Sequence, residues 1–243
     1  MDRGIYVAAS GAVKNALRLD TIANNLAAVS VPGFKKDLTV FNSIDAPLDV
    51  RLAAAGPPEK TFVSIADVFT DFSGGIIKET GNTLDMAISG EGFFVIETPE
   101  GPRYTRKGDF TMNMDGTLTT NDGYVVQGEA GAINLTGGDA VIERNGDVEI
   151  NGQVVDRIKV VVFDETLGLE KQGGVLFNAP DGIKSKPLET PVIAQGYLES
   201  SNVNAVKEMV MMINTMRAYE AQIKLIQSFD KVSENAVSLA TRG

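Results

Sequence analysis

With no histidine and no cysteine among its 243 residues, this chain must draw any acid–base or ligand chemistry from its 32 aspartates and glutamates. Asp109 with Asp115, or Glu143 with Asp147 and Glu149, have the residue types of a glycosidase's paired carboxylates. In so acidic a chain such pairs arise by chance. Asn113-Met114-Asp115-Gly116-Thr117 and Asn121-Asp122-Gly123 place oxygens at alternate positions, as calcium loops do. They lack the remaining carboxylates and the terminal glutamate, and hairpin turns account for them better. Gly90-Glu91-Gly92 and Gly137-Gly138 do not stand between a strand and a helix, where a phosphate loop would. Zinc sites of the usual kinds, histidine bases, thiol nucleophiles and disulfides cannot be built at all. The expectation is no catalytic residue, no metal and no cofactor.

What the chain offers instead is a pair of helical seams. From Ile5 the small and aliphatic residues recur at Ala9, Ala12, Ala16, Leu19, Ala23 and Leu26. Near the other end the steps alternate again through Met209, Met212, Met216, Tyr219, Ile223 and Ile226, with Val206, Val210 and Ile213 widening the face. That spacing belongs to a helix that packs on another helix. Such a helix is marginal alone in water, so each seam needs a partner, either the opposite end of the chain or another copy. The four methionines Met209, Met211, Met212 and Met216 suit either plain packing or an adaptable partner surface.

Composition fits a soluble globular protein of one or two domains, with mean hydropathy near zero. The net charge of −10 sits in the middle. Residues 1–45 and 202–243 each hold five basic against four acidic residues, and residues 46–201 hold 12 against 24. An acidic middle repels phosphate backbones, and Lys35-Lys36 is too short for a basic patch, so no nucleic-acid partner is expected. No apolar run approaches a membrane span. The start, Met1-Asp2-Arg3-Gly4, leads straight into the amphipathic pattern without a signal-peptide core, so any export is expected to proceed without a cleaved leader. A cysteine-free chain is compatible with either redox compartment.

The first helix is predicted from Gly4 to Ala28, stopped by Pro32-Gly33 after the β-branched Val29-Ser30-Val31. Phe34–Phe41 reads as a short strand or helix, and Phe62–Phe72 fits no single pattern. Pro47, Gly56, Pro57 and Pro58 mark residues 46–60 as a linker or extended arm. From Leu84 to Leu198 the signals are strands and turns. Asp115-Gly116, Asp122-Gly123, Asn145-Gly146, Asn151-Gly152 and Asp181-Gly182 supply the positive φ angles of tight turns. Phe93-Phe94-Val95-Ile96 and Ile158–Phe163 are the apolar runs among them. The last helix is predicted from Asn204 to about Ala240, with Asn and Ser at its start. The expected class is α+β: long N- and C-terminal helices packed together, coiled-coil-like, flanking a central β-rich domain. Its parts are an N-terminal helix and turn (1–45), a linker or arm (46–83), a β-rich domain (84–200) and a C-terminal helix (201–243).

Three ordered motifs resemble those of the bacterial flagellar rod and hook proteins. The first is Ala23-Asn24-Asn25-Leu26-Ala27 followed by Pro32-Gly33-Phe34-Lys35. The second runs from Gly92-Phe93-Phe94-Val95 through Tyr104-Thr105-Arg106-Lys107-Gly108-Asp109-Phe110 to Gly123-Tyr124-Val125-Val126-Gln127-Gly128. The third is Gly196–Asn204, with Asn202 and Asn204, followed by Arg217-Ala218-Tyr219-Glu220. Ala28 and Val31 depart from the family's usual asparagine and small polar residue. The opening Met1–Tyr6 and the length look most like the proximal rod protein, with the distal rod protein as runner-up. The resemblance implies a torque-transmitting part, exported through the flagellar secretion apparatus and built into the periplasmic rod. Its partners would be other rod proteins and copies of itself, with terminal helices inside and the β domain outside. Outside the family stand two rivals: a carboxylate hydrolase of glycans such as peptidoglycan, and a secreted β-domain adhesin with a helical stalk.

Overall fold

A computed structural model of the protein describes residues 2–41, 43–45, 61–63 and 67–240. Residues 46–60, expected as a linker or arm, lie outside the described residues, as do 64–66. Among the described residues, a long α-helix stands at each end of the chain with β-strands between them, which is the expected fold class. The chain divides into two compact units. The first holds Met1–Ala27, Asp37–Phe69 and Asn204–Gly243; the second holds Ala28–Lys36 and Thr70–Val203.

In the first unit, helix α1 spans Asp2–Ala27 and helix α2 spans Ala205–Ala240. Helix α1 gives way to a turn at Ala28, ahead of the Val31-Pro32 step that disfavours helical backbone. Helix α2 is capped by Asn204, whose Oδ1 accepts from the Lys207 N–H at 3.0 Å. The two helices run antiparallel with Gly4 against Phe229 and Gly11 against Gln222. Asn15 Nδ2 donates to Gln222 Oε1 at 3.1 Å across the same seam. Small residues let the backbones approach, and the amide pair fixes the register. The remaining strands of this unit include Asp37–Val40, where sequence left strand and helix open.

In the second unit the largest sheet has nine strands among the described residues. Its centre is Phe93–Thr98, which pairs antiparallel with Gly101–Thr105 on one side and with Val160–Phe163 and Val125–Val126 on the other. Strand side chains alternate between faces. Phe94 and Ile96 therefore enter a core with Met86, Ile88, Phe110, Leu118 and Val126, while Phe93 and Val95 enter another with Val161, Phe163 and Phe177. Two covered faces explain the unbroken apolar run. A three-stranded sheet, Ala140–Ile142, Asp147–Ile150 and Gln153–Arg157, continues the first core through Ile142 and Val148.

Four of the five Asx-Gly pairs turn adjacent, paired strands. At Asn151-Gly152 both residues have positive φ, 53° and 79°, the two-residue turn whose twist matches a hairpin. Asp181-Gly182 also turns with positive φ, but the strands around it, Leu176–Asn178 and Ser185–Pro187, pair with other neighbours. Among the described residues no helix is long and apolar enough to cross a membrane.

Candidate functional site

The predicted seam residues divide by exposure. On α1, Ala12 is buried, Ile5, Ala9, Ala16, Leu19 and Leu26 are half-buried, and Ala23 is exposed. The residues α1 buries most deeply are Ala8, Ala12, Ile22 and Asn25. On α2, Met212, Tyr219, Ile223 and Ile226 are half-buried. Val206 is 71% exposed, and Met209, Val210, Ile213 and Met216 lie between 48% and 52%. The buried face of α2 instead carries Glu208 and Thr215, and Glu208 Oε2 has no hydrogen-bond partner. Tyr6, Val7, Val13 and Leu17 are likewise exposed on α1. The helix pair thus covers Ala8, Ala12 and Ile22 of α1 and Glu208 and Thr215 of α2, and leaves an apolar face outward on each helix. Contiguous exposed apolar residues mark an interaction surface.

The family-motif residues do different work. Asn24 is exposed. Asn25 is buried, its side chain donating to the Asp37 carbonyl and accepting from the Asp37 N–H, both at 2.9 Å. Pro32 is half-buried, and Gly33 takes φ +68° while its N–H donates to the Glu199 carbonyl at 2.7 Å. Phe34 is buried with the Lys171 ammonium 3.9 Å from its ring centre. The departures at Ala28 and Val31 are absorbed by main chain, since Val31 N–H reaches Ala28 O and Phe34 N–H reaches Val31 O.

Asn202 ties three segments of the second unit together. Its Oδ1 accepts from Lys36 N–H, and its Nδ2 donates to the carbonyls of Asp71 and Ser73. Beneath it lies an ion triad that the sequence did not single out. Lys35 Nζ meets Glu199 Oε1 at 2.6 Å, and Arg106 Nε meets Glu199 Oε2 at 2.7 Å. Lys35 and Glu199 side chains are 1% exposed and Arg106 6%. The rest of the hydrogen-bonding capacity is met by main chain. Lys35 donates to Ser73 O, Arg106 to Gly92 O and Ile88 O, and Gly75 N–H donates to Glu199 Oε1. Burial raises the Glu199 carboxyl, but the Arg106 charge, the Lys35 ammonium and the Gly75 N–H together hold it below the ordinary carboxylate range. Burial also lowers the Lys35 ammonium, and Arg106 adds to that, against the opposing pull of Glu199.

The signal for this triad was present in the sequence only as charges embedded in motifs otherwise rich in glycine and aromatics. Chemically it is a clamp: a carboxylate with both oxygens occupied by cations is poised to hold, not to transfer a proton. Segments 28–36, 70–75 and 199–203 each join it, and each continues into the first unit.

The carboxylates considered for hydrolysis are otherwise engaged or alone. Asp109 pairs with Lys107 at 3.3 Å and accepts from Asn121 at 2.9 Å. Asn113 Oδ1, a candidate calcium oxygen, accepts from the N–H groups of Asp115 and Thr117 and so shapes a turn. Among the described residues no group of three acidic side chains is placed to hold a metal.

Three family models match the chain in order. Residues 5–35 match the flagella basal body rod protein model, 87–156 the flagellar hook protein FlgE/F/G D1 domain, and 194–239 the flagellar basal body rod FlgEFG protein C-terminal model. Among similar curated proteins is flagellar basal-body rod protein FlgF of Caulobacter vibrioides, 32% identical over 240 residues, covering 98% of this chain and 97% of its own. FlgF of Rhizobium meliloti is 31% identical over 249 residues with the same coverage. FlgG of Bacillus subtilis is 30% identical over 266 residues, covering 98% and 99%.

Proposed function

The chain belongs to the flagellar basal-body rod family, a structural and non-enzymatic group, and we propose that it serves as the proximal rod protein, joining the rod through its terminal helices. The observation that carries the assembly reading is the outward apolar face on α1 and α2, from Tyr6 to Leu17 and from Val206 to Met216. A helical structure with exposed, unpaired apolar rows gains by laying them against neighbouring helices. Contacts of this head-to-tail kind do not close on themselves and propagate into a helical array. Of the predicted seam residues, Val206, Met209, Val210, Ile213 and Met216 on α2 and the exposed Ala23 on α1 would meet neighbouring helices in this reading, while Ile5, Ala9, Ala12, Ala16, Leu19, Leu26, Met212, Tyr219, Ile223 and Ile226 are buried or half-buried.

The proximal position is supported by the FlgF-named relatives, 32% and 31% identical to the chain. Its rival, the distal position, shares every motif. The same reading has the chain leaving the cytoplasm through the flagellar export apparatus, standing in the periplasm, and meeting both rod neighbours and copies of itself. The ion triad suits a part that bears load, since it fixes segments 28–36, 70–75 and 199–203 to one another within the second unit.

Deleting 1–30 or 205–243 is expected to abolish incorporation and motility while the second unit remains folded. Normal swimming with either deletion would refute the assembly reading. Images of basal bodies from a strain lacking the protein separate the two positions: a rod stopped at its base supports the proximal one, and a rod stopped near its tip overturns it.

A further inference from the structure

Among the described residues one buried side-chain oxygen has no hydrogen-bond partner, and it belongs to the helix pair. Glu208, in the first turn of α2, is 4% exposed, and its Oε2 is shut from solvent and accepts nothing. Buried polar atoms are nearly always satisfied, so an orphan of this kind needs a reason.

Its place in the seam supplies one. Gly4 packs on Phe229 and Gly11 on Gln222, seven residues on in one helix and seven back in the other. Two further steps of seven bring Arg18 level with Thr215 and Asn25 level with Glu208. Followed toward the start of α2, the seam becomes more polar and less well bonded. Phe229 lies against a glycine, and Gln222 Oε1 accepts from Asn15 at 3.1 Å. Thr215 is buried, but its hydroxyl donates to Met211 O of its own helix at 2.8 Å. Glu208 comes last. Asn25 does not serve it, since its side-chain nitrogen and oxygen are both engaged by the Asp37 main chain. Arg18 and Lys207 lie exposed, and neither partners the buried oxygen.

We propose that Glu208 is a built-in latch that keeps the helix pair able to open at the end where α1 stops, while the Asn15–Gln222 rung stays shut. The closed state bears the desolvation of an unsatisfied carboxyl, and in the open state water satisfies it. That difference favours opening by a factor on the order of ten or more. The acid also favours the helix start through the macrodipole, but only by about two- to fivefold. A helix end released from its partner frays, because such a helix is marginal alone. The latch belongs to the single chain and does not depend on which position in the rod the chain takes.

Local opening is read by amide hydrogen exchange, followed by mass spectrometry on the full-length chain at fixed pH. In the wild type, residues 206–215 and 19–27 should exchange at least about tenfold faster than 219–225 and 11–17. Glu208→Leu and Glu208→Met should each slow 206–215 and 19–27 by about tenfold or more, because an apolar side chain leaves nothing unsatisfied. Strand Phe93–Thr98 in the second unit should be unchanged in both. Glu220→Leu, at an exposed acid of the same helix, should shift those amides by no more than about twofold. Uniform exchange along the wild-type pair, or no slowing in either Glu208 variant, overturns the latch. Equal slowing by Glu220→Leu, or loss of the folded helix pair in both Glu208 variants, overturns it as well.

Discussion

Lys35 and Glu199 stand 164 positions apart in sequence and meet at 2.6 Å, both sealed from solvent. Their pairing closes the loop that contains nearly all of the second unit. A loop of that length costs entropy that grows only slowly with length, so the clamp needs a compact cluster of bonds and not an exceptional one. Arg106, Gly75 and Ser73 complete that cluster.

Removing the shared carboxylate strands two buried cations, whereas removing one cation leaves Glu199 with Arg106 and Gly75. Glu199→Leu should therefore destabilise the second unit by about 3–5 kcal/mol, the cost of leaving buried charge uncompensated. Lys35→Met should cost clearly less. Urea titrations followed by tyrosine fluorescence check the order; equal losses would contradict the shared role of Glu199.

Glu199 and Asp71 are both held below their ordinary values, 4.5 and 3.8. For Asp71, burial works upward, and the Ser73 N–H, the Ser73 hydroxyl and Lys36 outweigh it. A carboxylate depressed in the folded state contributes stability above its unfolded value and loses it as pH falls through the folded one. Melting temperature should therefore hold from pH 7 to about pH 5 and fall below roughly 4.5. In Glu199→Gln the wild-type slope below that point should flatten, measured by calorimetry across the series.

Gly33 turns with φ +68°, and a Cβ there would overlap the main chain of Arg106 and Lys107. Gly33→Ala should cost at least about 1–2 kcal/mol from the left-handed backbone alone, with the overlap added. The overlap separates this site from an ordinary turn: Gly123→Ala, where nothing lies within 4 Å, should lose only the backbone part. Paired denaturation curves distinguish the two.

Ile213 is half exposed and lies on the outward face of α2. Ile213→Asp should leave the isolated chain's stability within about 0.5 kcal/mol, as surface changes do. It should nevertheless reduce motility and incorporation sharply. A variant that unfolds in isolation, or that swims normally, would place Ile213 elsewhere.

The helices and hairpins were legible because their signals are local. Heptad spacing marked α1 and α2 to within a few residues, and Asx-Gly pairs located four hairpin turns and one connection between non-adjacent strands. Heptads say which positions are apolar but not which partner each will meet. Gly4, Gly11 and Asn15 won the intrachain seam because small side chains permit close backbones, and Val206 and Ile213 were left outward. The triad was hidden for a related reason: three charges far apart in sequence show no periodicity. Only the fold brings Lys35, Arg106 and Glu199 to one point.

Because α1 pairs with α2, as Asn15 does with Gln222 across 207 positions, the earlier-made helix must wait for the later-made one. Contacts this distant form late and slowly. A ribosome still making the thirty-six residues of α2 therefore trails a β domain that can already fold, preceded by a helix with no mate. Any factor that recognises the unmated leading segment has the whole of translation in which to find it.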